Sequence, residues 1–305
     1  MSTRAHIQRL VDRARMLPPL PAAFVYPCDA ESLQLALATA FTGHLAPTLV
    51  GPERRIRDTA GKAGIDLSSL PIADTADEPR DACTLAMQLA RAGTVGALVR
   101  GGVSNEDLLA PIAAPGSGLR GERRLSHAYF LDLPGHPQGV LLADAQLNIA
   151  PNLAAKKDIL KNTLLLAAAM GIAEPRVALV AGMEAVNRAF PATADAAALK
   201  AMAAQGMFPG AIVDGPLAMD TALSADAARA YGRASPIEGN ADVILVPGME
   251  AGLMVTRALV ALTGGIAVGL VLGATVPVVA PTRTGSLEGR MASCVLAMLL
   301  AAAMR

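Results

Sequence analysis

Tryptophan is absent, and aromatic residues make up only 3% of the chain. The core of this 305-residue protein must therefore be filled by Ala, Val, Leu, Ile and Met. Such a core suits helices packed on parallel strands, because strands buried on both faces read as aliphatic runs. The length permits one large domain or two moderate ones, with ample core. A charge excess of either sign is also lacking: Lys+Arg and Asp+Glu both number 26. That balance gives no electrostatic case for nucleic acid or an anionic membrane as partner. Cysteine is sparse. Cys28, Cys83 and Cys294 stand far apart, no CxxC spacing occurs, and the count is odd. Three reduced thiols in a cytoplasmic protein are expected. The N-terminal stretch MSTRAHIQRLVDRARML is basic. No apolar h-region or small-residue cleavage site follows directly, so it reads as an amphipathic first helix rather than a signal peptide.

The run from Ala258 to Thr282 carries no charged side chain. A membrane-spanning helix needs about 20 apolar residues, and GGIAVGLVLGATVPVVAP is long enough on hydropathy alone. Yet Gly264, Gly265, Gly269, Gly273, Pro277 and Pro281 punctuate it, with β-branched residues between them. Two short buried strands joined by a turn fit that pattern better than a helix. The run ends in PTRTGS, residues 281–286. Arg283 there could be the flank of a membrane helix, an ordinary surface arginine or a placed anion ligand. The strand reading sets the first option aside.

Short aliphatic runs alternate with Ala/Leu-rich helical stretches along the chain, the pattern of βαβ units around a parallel sheet. Strands are expected at 22–26, 46–51, 95–102, 139–144, 176–182, 210–216 and 241–248, with two more in the apolar run. Residues 30–43 read as a helix capped by Asp29 and stopped at Gly43. Helices are likewise expected at 153–172 and at the C-terminus. The segment from Pro111 to Pro137 reads as loop-rich and basic, with Arg120, Arg123 and Arg124 before LSHAYFLDL. Polar residues collect where strands end: Arg100, Asp144, Asp214, Glu250 and Arg283. Strand ends are where polar residues begin in any case. As a set, with Gly or Pro beside nearly every member, they point to a cleft outside the carboxyl ends of the strands.

Several chemistries lack their residues. There is no GxxxxGK[ST] loop, no GxGxxG after a strand, no HExxH, no Cys/His cluster and no GxSxG. Of the histidines only His127 lies near other candidates, and a structural role competes with binding there. What remains is arginine and carboxylate in a cleft. Arginine suits phosphate because its planar fork donates in parallel to two oxygens and keeps its charge. Thr282 or Thr284 could add a hydroxyl, and glycines let backbone N–H groups approach an anion.

Six segments resemble the phosphate acetyltransferase/phosphate butyryltransferase family, in the family's order. They are ERRLSHAYFLDLP (122–134), LLADAQLNIAPNLAAKKDIL (141–160), RVALVAGMEAVN (176–187), IVDGPLAMDTALS (212–224), ADVILVPGMEAGLM (241–254) and VLGATVPVVAPTRTGSLEGRMASC (271–294). The butyryl-type branch is the closer match. The resemblance implies an α/β protein of two three-layer α/β/α domains with a cleft between them, like the isocitrate and isopropylmalate dehydrogenases. The first domain would comprise 1–137 plus 277–305, and the inserted second domain 138–276. It also implies a cytoplasmic homodimer that takes acyl-CoA and phosphate to acyl phosphate and CoA, reversibly. CoA enters as substrate, and no metal or redox cofactor takes part.

By position in that resemblance, Arg283 matches the arginine of a Ser-Arg motif, Thr282 stands at its serine, and Arg100 stands where a lysine is usual. Asp144, Asn148, Asp214 and Glu250 match polar positions at strand ends. Two departures stand out: Ala110 where a basic residue is usual, and Gly285 where an aspartate is usual, with Glu288 as a nearby carboxylate. The implied mechanism is direct transfer in a ternary complex, with Arg283 and Arg100 on the phosphoryl group and Glu288 or Asp214 assisting thiol deprotonation. Thr282, Thr284, Asp144, Asn148, Glu250 and His127 would bind substrate. A non-catalytic acyl-CoA or phosphate-ligand binding protein on the same scaffold is the first alternative, motivated by Ala110 and Gly285. A decarboxylating dehydrogenase is the second, and its aspartate cluster and nicotinamide site are not seen.

Overall fold

The computed structural model describes residues 4–232, 234–281 and 285–305. Two compact units account for it. Gln8–Leu125 with Val268–Arg305 form a flanking unit, and Met1–Ile7 with Ser126–Ala267 form an inserted unit. The divisions at 125/126 and 267/268 differ from those expected at 137/138 and 276/277.

In chain order the elements begin with α1 (Ala5–Ala14), β1 (Leu20–Val25), α2 (Ala30–Phe41), β2 (Leu45–Gly51) and α3 (Glu53–Ala63). Then come β3 (Ile72–Asp74), α4 (Pro79–Arg91), β4 (Ala97–Arg100) and α5 (Asn105–Ala113). The inserted unit supplies β5 (Ser126–Asp132), β6 (Val140–Ala143), α6 (Leu153–Ala169), β7 (Arg176–Val180) and α7 (Pro191–Ala204). It continues through β8 (Ile212–Leu217), α8 (Met219–Leu223), α9 (Ala225–Tyr231), β9 (Val243–Leu245) and α10 (Met249–Thr263). The chain closes with β10 (Ile266–Leu272), β11 (Val278–Val279) and α11 (Leu287–Ala303).

In the flanking unit the strand order is β3-β2-β1-β4-β11-β10. All its pairings are parallel except β10 with β11. Its central strands are aliphatic runs, and Phe24, Leu49 and Val99 are fully buried, the pattern of parallel strands. α11 is apolar all round and buried from Ala292 to Ala301, the pattern of a helix inside the core. In the inserted unit the order is β5-β6-β9-β7-β8, parallel except for β5 with β6.

Local signals in the sequence account for the element ends. The Asp29 carboxylate accepts from Ser32 N at 2.7 Å and opens α2, and Gly43 follows it at φ 70°. Asn152 caps α6 in the same way, through Ala155 N at 2.9 Å. The uncharged run begins as the end of α10, and its glycine- and proline-punctuated part folds as β10, a turn and β11. Among the described residues no helix is long and apolar enough to cross a membrane.

The loop-rich segment 111–137 also holds a strand that was not expected, β5, every residue of which is buried. His127 and Asp132 interrupt its apolar pattern, and neighbouring groups satisfy them: Asp132 accepts from Ile7 N at 3.0 Å. Asp214 does not stand at a strand end. It lies within β8, opposite Ala178 of β7.

Candidate active site

In the flanking unit the carboxyl ends of β1 and β4 lie side by side, with Val25 opposite Arg100. The two residues that follow Arg100 are glycines for a steric reason. A Cβ on Gly101 would meet Val25 O at 2.7 Å, Tyr26 O at 2.8 Å and Pro27 Cα at 2.9 Å. Instead Gly101 N donates to Val25 O at 3.0 Å and Gly102 N to Tyr26 O at 2.8 Å. The loop they lean on is itself held. Tyr26 takes the left-handed conformation at φ 53°, a strain of about 1–3 kcal/mol for a non-glycine residue. Its hydroxyl donates to Asp77 at 3.1 Å and accepts from Arg55 at 2.8 Å. The Arg55 guanidinium also stacks 5.4 Å from the ring centroid.

Arg100 is half-buried, and its guanidinium is committed to backbone. Nη1 donates to Val103 O at 2.8 Å, and Nη2 donates to Pro281 O. It thus ties the end of β4 to Pro281, which precedes the 282–284 segment in the chain. Thr282, Arg283 and Thr284 lie outside the described residues. Around Arg100 is a cavity of about 450 Å³ lined by Asp29, Glu31, Ser32, Leu35, Gly101, Gly102, Pro281 and Arg290. Glu288 is exposed in the first turn of α11. Ala110 is exposed on α5.

In the inserted unit two of the predicted polar residues, Asp144 and Asn148, come together after the carboxyl end of β6, which pairs with β9. Asp144 is buried at the end of β6. Its carboxylate accepts from His127 N at 3.1 Å, Gln146 N at 2.9 Å, Leu147 N at 3.0 Å and Asn148 Nδ2 at 2.5 Å. Burial raises its pKa, and these hydrogen bonds to the charged form oppose the rise. The loop so shaped docks on the start of α10, where Met249 N donates to Ile149 O at 3.1 Å. Gly252 is needed there, because a Cβ would stand 2.9 Å from Ala145 Cβ. Glu250 is exposed in this first turn of α10.

His127 and Asp214 have settings of another kind. The His127 side chain is 1% exposed and packs edge-on against Tyr129, with ring centroids 4.5 Å apart. Burial lowers its pKa to about 3, so the imidazole is neutral. Asp214, also buried, pairs with Lys200 Nζ at 2.5 Å and accepts from Gly215 N at 2.8 Å. Burial alone would raise its pKa. Hydrogen bonds from Lys200, Ser235 and Gly215 N outweigh that, and its pKa lies below the usual carboxylate value. Such a carboxylate is a poor proton acceptor for a thiol.

Burial pushes the pKa of Cys28 and Cys83 to about 11 and that of Cys294 to about 12. None is an activated nucleophile at neutral pH. Among the described residues no group of three or more His, Cys, Asp or Glu could hold a metal ion.

Some polar residues carried no signal in the sequence. Arg290 sits inside what reads as a plain closing helix. Lys156 of α6 is buried, and its Nζ lies 2.7 Å from Asp195 Oδ2 of α7. Periodicity places both in helices but not in a pair.

The sequence and fold have clear relatives. The family described as "Phosphate acetyl/butaryl transferase" matches residues 68–298. The phosphate acetyltransferase of Rhizobium meliloti is 41% identical over 97% of this chain and 94% of its own. The phosphate butyryltransferase of Clostridium beijerinckii is 32% identical over 97% of this chain and 98% of its own. Among solved structures, a branched-chain phosphotransacylase from Enterococcus faecalis V583 superposes with a TM-score of 0.82 at 24% identity. That match covers 92% of this chain and 99% of the other. By these matches the chain belongs to the phosphate acetyl/butyryl transferase family.

Proposed function

We propose that the protein catalyses reversible transfer of a short acyl group, acetyl or butyryl, between CoA and inorganic phosphate. The observation that carries this reading is the cavity at the end of β4 in a chain of this family. Arg290 lines it beside Arg100, which backbone carbonyls hold in place, and Gly101 and Gly102 let the loop after β4 lie close against the β1 loop. That is a receptacle for a phosphoryl anion, since guanidinium groups donate to paired oxygens and keep their charge.

The reaction is direct transfer in a ternary complex. The CoA sulfur attacks the carbonyl carbon of acyl phosphate, a C–S bond forms, the C–O bond to phosphorus breaks, and phosphate leaves. The thiol proton passes to a carboxylate. Of the two carboxylates considered, Glu288 suits this better than Asp214, whose charge Lys200 already compensates. Arg283 offsets charge on the phosphoryl group and on the developing oxyanion. Arg100 supports it by holding Pro281 through its guanidinium. Asp144, Asn148 and Glu250 shape the second binding surface in the inserted unit. CoA is a substrate here, and no separate cofactor is needed. The reading further takes the two units as paired α/β/α domains of the isocitrate and isopropylmalate dehydrogenase kind. It takes the working form as a cytoplasmic homodimer.

The test is turnover of acyl-CoAs from acetyl to valeryl with phosphate, in wild type and Arg283→Ala. Removing an arginine that acts only in the transition state should lower the rate on the order of 10²–10³-fold. Wild-type activity in Arg283→Ala would remove that role. CoA binding without turnover of any acyl phosphate would favour the binding-protein reading that Ala110 and Gly285 motivate.

A further inference from the structure

Arg290 belongs to the first turns of α11, where a cation opposes the helix dipole. Helix stability therefore gives no reason for an arginine there. Its side chain is only 12% exposed, and its Nη2 lies 3.0 Å from Glu31 Oε2. Glu31, in the first turn of α2, is 65% exposed. The pair is thus asymmetric. The cation is fixed in the wall of the cavity that Arg100 also lines, while the carboxylate stands on a solvated side chain that can swing away. The other acid of the cavity, Asp29, is committed to capping α2, accepting from both Ser32 N and Ser32 Oγ. Glu31 is therefore the one lining carboxylate whose removal leaves the helix cap intact.

Resting on the acyltransferase reading, we infer that Arg290 is a further phosphoryl ligand of this site, and that Glu31 is its displaceable placeholder. The Glu31 carboxylate accepts from Arg290 Nη2 at 3.0 Å. An incoming phosphoryl group takes the fork, and Glu31 moves into solvent. The exchange is inexpensive because a half-solvated ion pair contributes little, whereas a phosphoryl group accepts from the same guanidinium with more negative charge. Glu31 thereby sets affinity: it competes with the substrate anion and rejects weaker, singly charged ones. The phosphoryl group could be inorganic or acyl phosphate, or a phosphate of CoA.

Glu31→Gln and Arg290→Gln are to be compared with wild type by calorimetry with inorganic phosphate. Steady-state assays with phosphate, CoA and 3′-dephospho-CoA accompany it. Glu31→Gln, an exposed isosteric change that leaves folding intact, should bind its phosphoryl ligand about two- to fivefold tighter, the whole value of a pair of this exposure. Arg290→Gln should weaken the same ligand about tenfold or more, and Glu31→Gln should then have no further effect. Shifts in phosphate affinity with none for CoA assign the site to phosphate. Shifts for CoA that vanish with 3′-dephospho-CoA assign it to the CoA 3′-phosphate. Unchanged affinity for both in Glu31→Gln, with wild-type turnover normal, overturns the inference. Absence of wild-type turnover fails the acyltransferase reading instead, and phosphate calorimetry still decides the exchange.

Discussion

His127 offers the sharpest division between a binding role and a core role. Its imidazole is fully buried, its pKa falls from 6.5 to about 3, and its Nδ1 has no hydrogen-bond partner among the described residues. The unfolded chain takes up a proton below pH 6.5 that the folded chain refuses until about pH 3. A depressed folded pKa of this kind gives stability that is present above the unfolded value and is lost as pH falls towards the folded one. At about 1.4 kcal/mol per pH unit, the loss over the full window amounts to about 4–5 kcal/mol. His127→Phe keeps the edge-on contact with Tyr129 and removes the proton. Its larger ring costs about 1–3 kcal/mol at every pH, so the absolute stability is a poor readout and the slope is the right one. Denaturant unfolding between pH 7 and pH 4 should show a steep loss for wild type and a much flatter one for His127→Phe. Turnover at pH 7 should persist in the variant. Equal slopes would refute the buried, neutral imidazole. A flat slope with activity abolished would return His127 to the substrate.

Gly101→Ala drives a Cβ into three backbone atoms of the β1 loop; activity should fall on the order of 10²-fold as for an angstrom-scale misplacement, and wild-type kinetics would show that the loop yields. Arg100→Lys keeps the charge but not the fork that reaches Val103 O and Pro281 O. Losing one or two such bonds should cost about 1.5–3 kcal/mol each, and an unshifted melting temperature would mean that charge alone matters at this position. Lys156→Met strands Asp195 and should destabilise by about 3 kcal/mol, lowering the melting temperature by about 2–4 °C per kcal/mol. Lys156→Met with Asp195→Leu should recover most of that loss, and a double variant as unstable as the single one would deny the pairing.

Much of the fold can be read from the chain because its strands are aliphatic runs and its helices carry their caps. Asp29, Asn152 and Gly43 act as their residue types predict. The apolar run before Pro281 reads correctly as strands because glycine and proline interrupt it too often for a helix. β5 escapes because burial there is decided by distant partners. Ile7 N satisfies Asp132, and Asn162 Nδ2 reaches Ser126 at 2.9 Å. No periodicity contains those partners. Asp214 misleads for the opposite reason: followed by glycine and proline it looks like a strand end, yet β8 runs on to Leu217.

The same physics explains why candidate ligands are harder to read than candidate strands. A polar residue at a buried strand end must be satisfied, and backbone groups of the adjoining loop are the nearest partners. Asp144 accepts from three backbone N–H groups and one side chain. Arg100 donates to carbonyls on both sides of it in the fold. Both look like substrate ligands in the sequence, and both are spent on building the loops around a site. A residue available to a ligand has to differ in one respect: its present partner must be cheap to give up. Strand-end position does not encode that property, since it depends on how exposed the partner is. Arg290 meets the condition through Glu31, whereas Asp214, paired with Lys200 and buried itself, keeps its partner. If Arg290 binds as inferred, exchangeability of the partner, rather than charge at a strand end, is what separates a ligand-binding group from one that holds the site in shape.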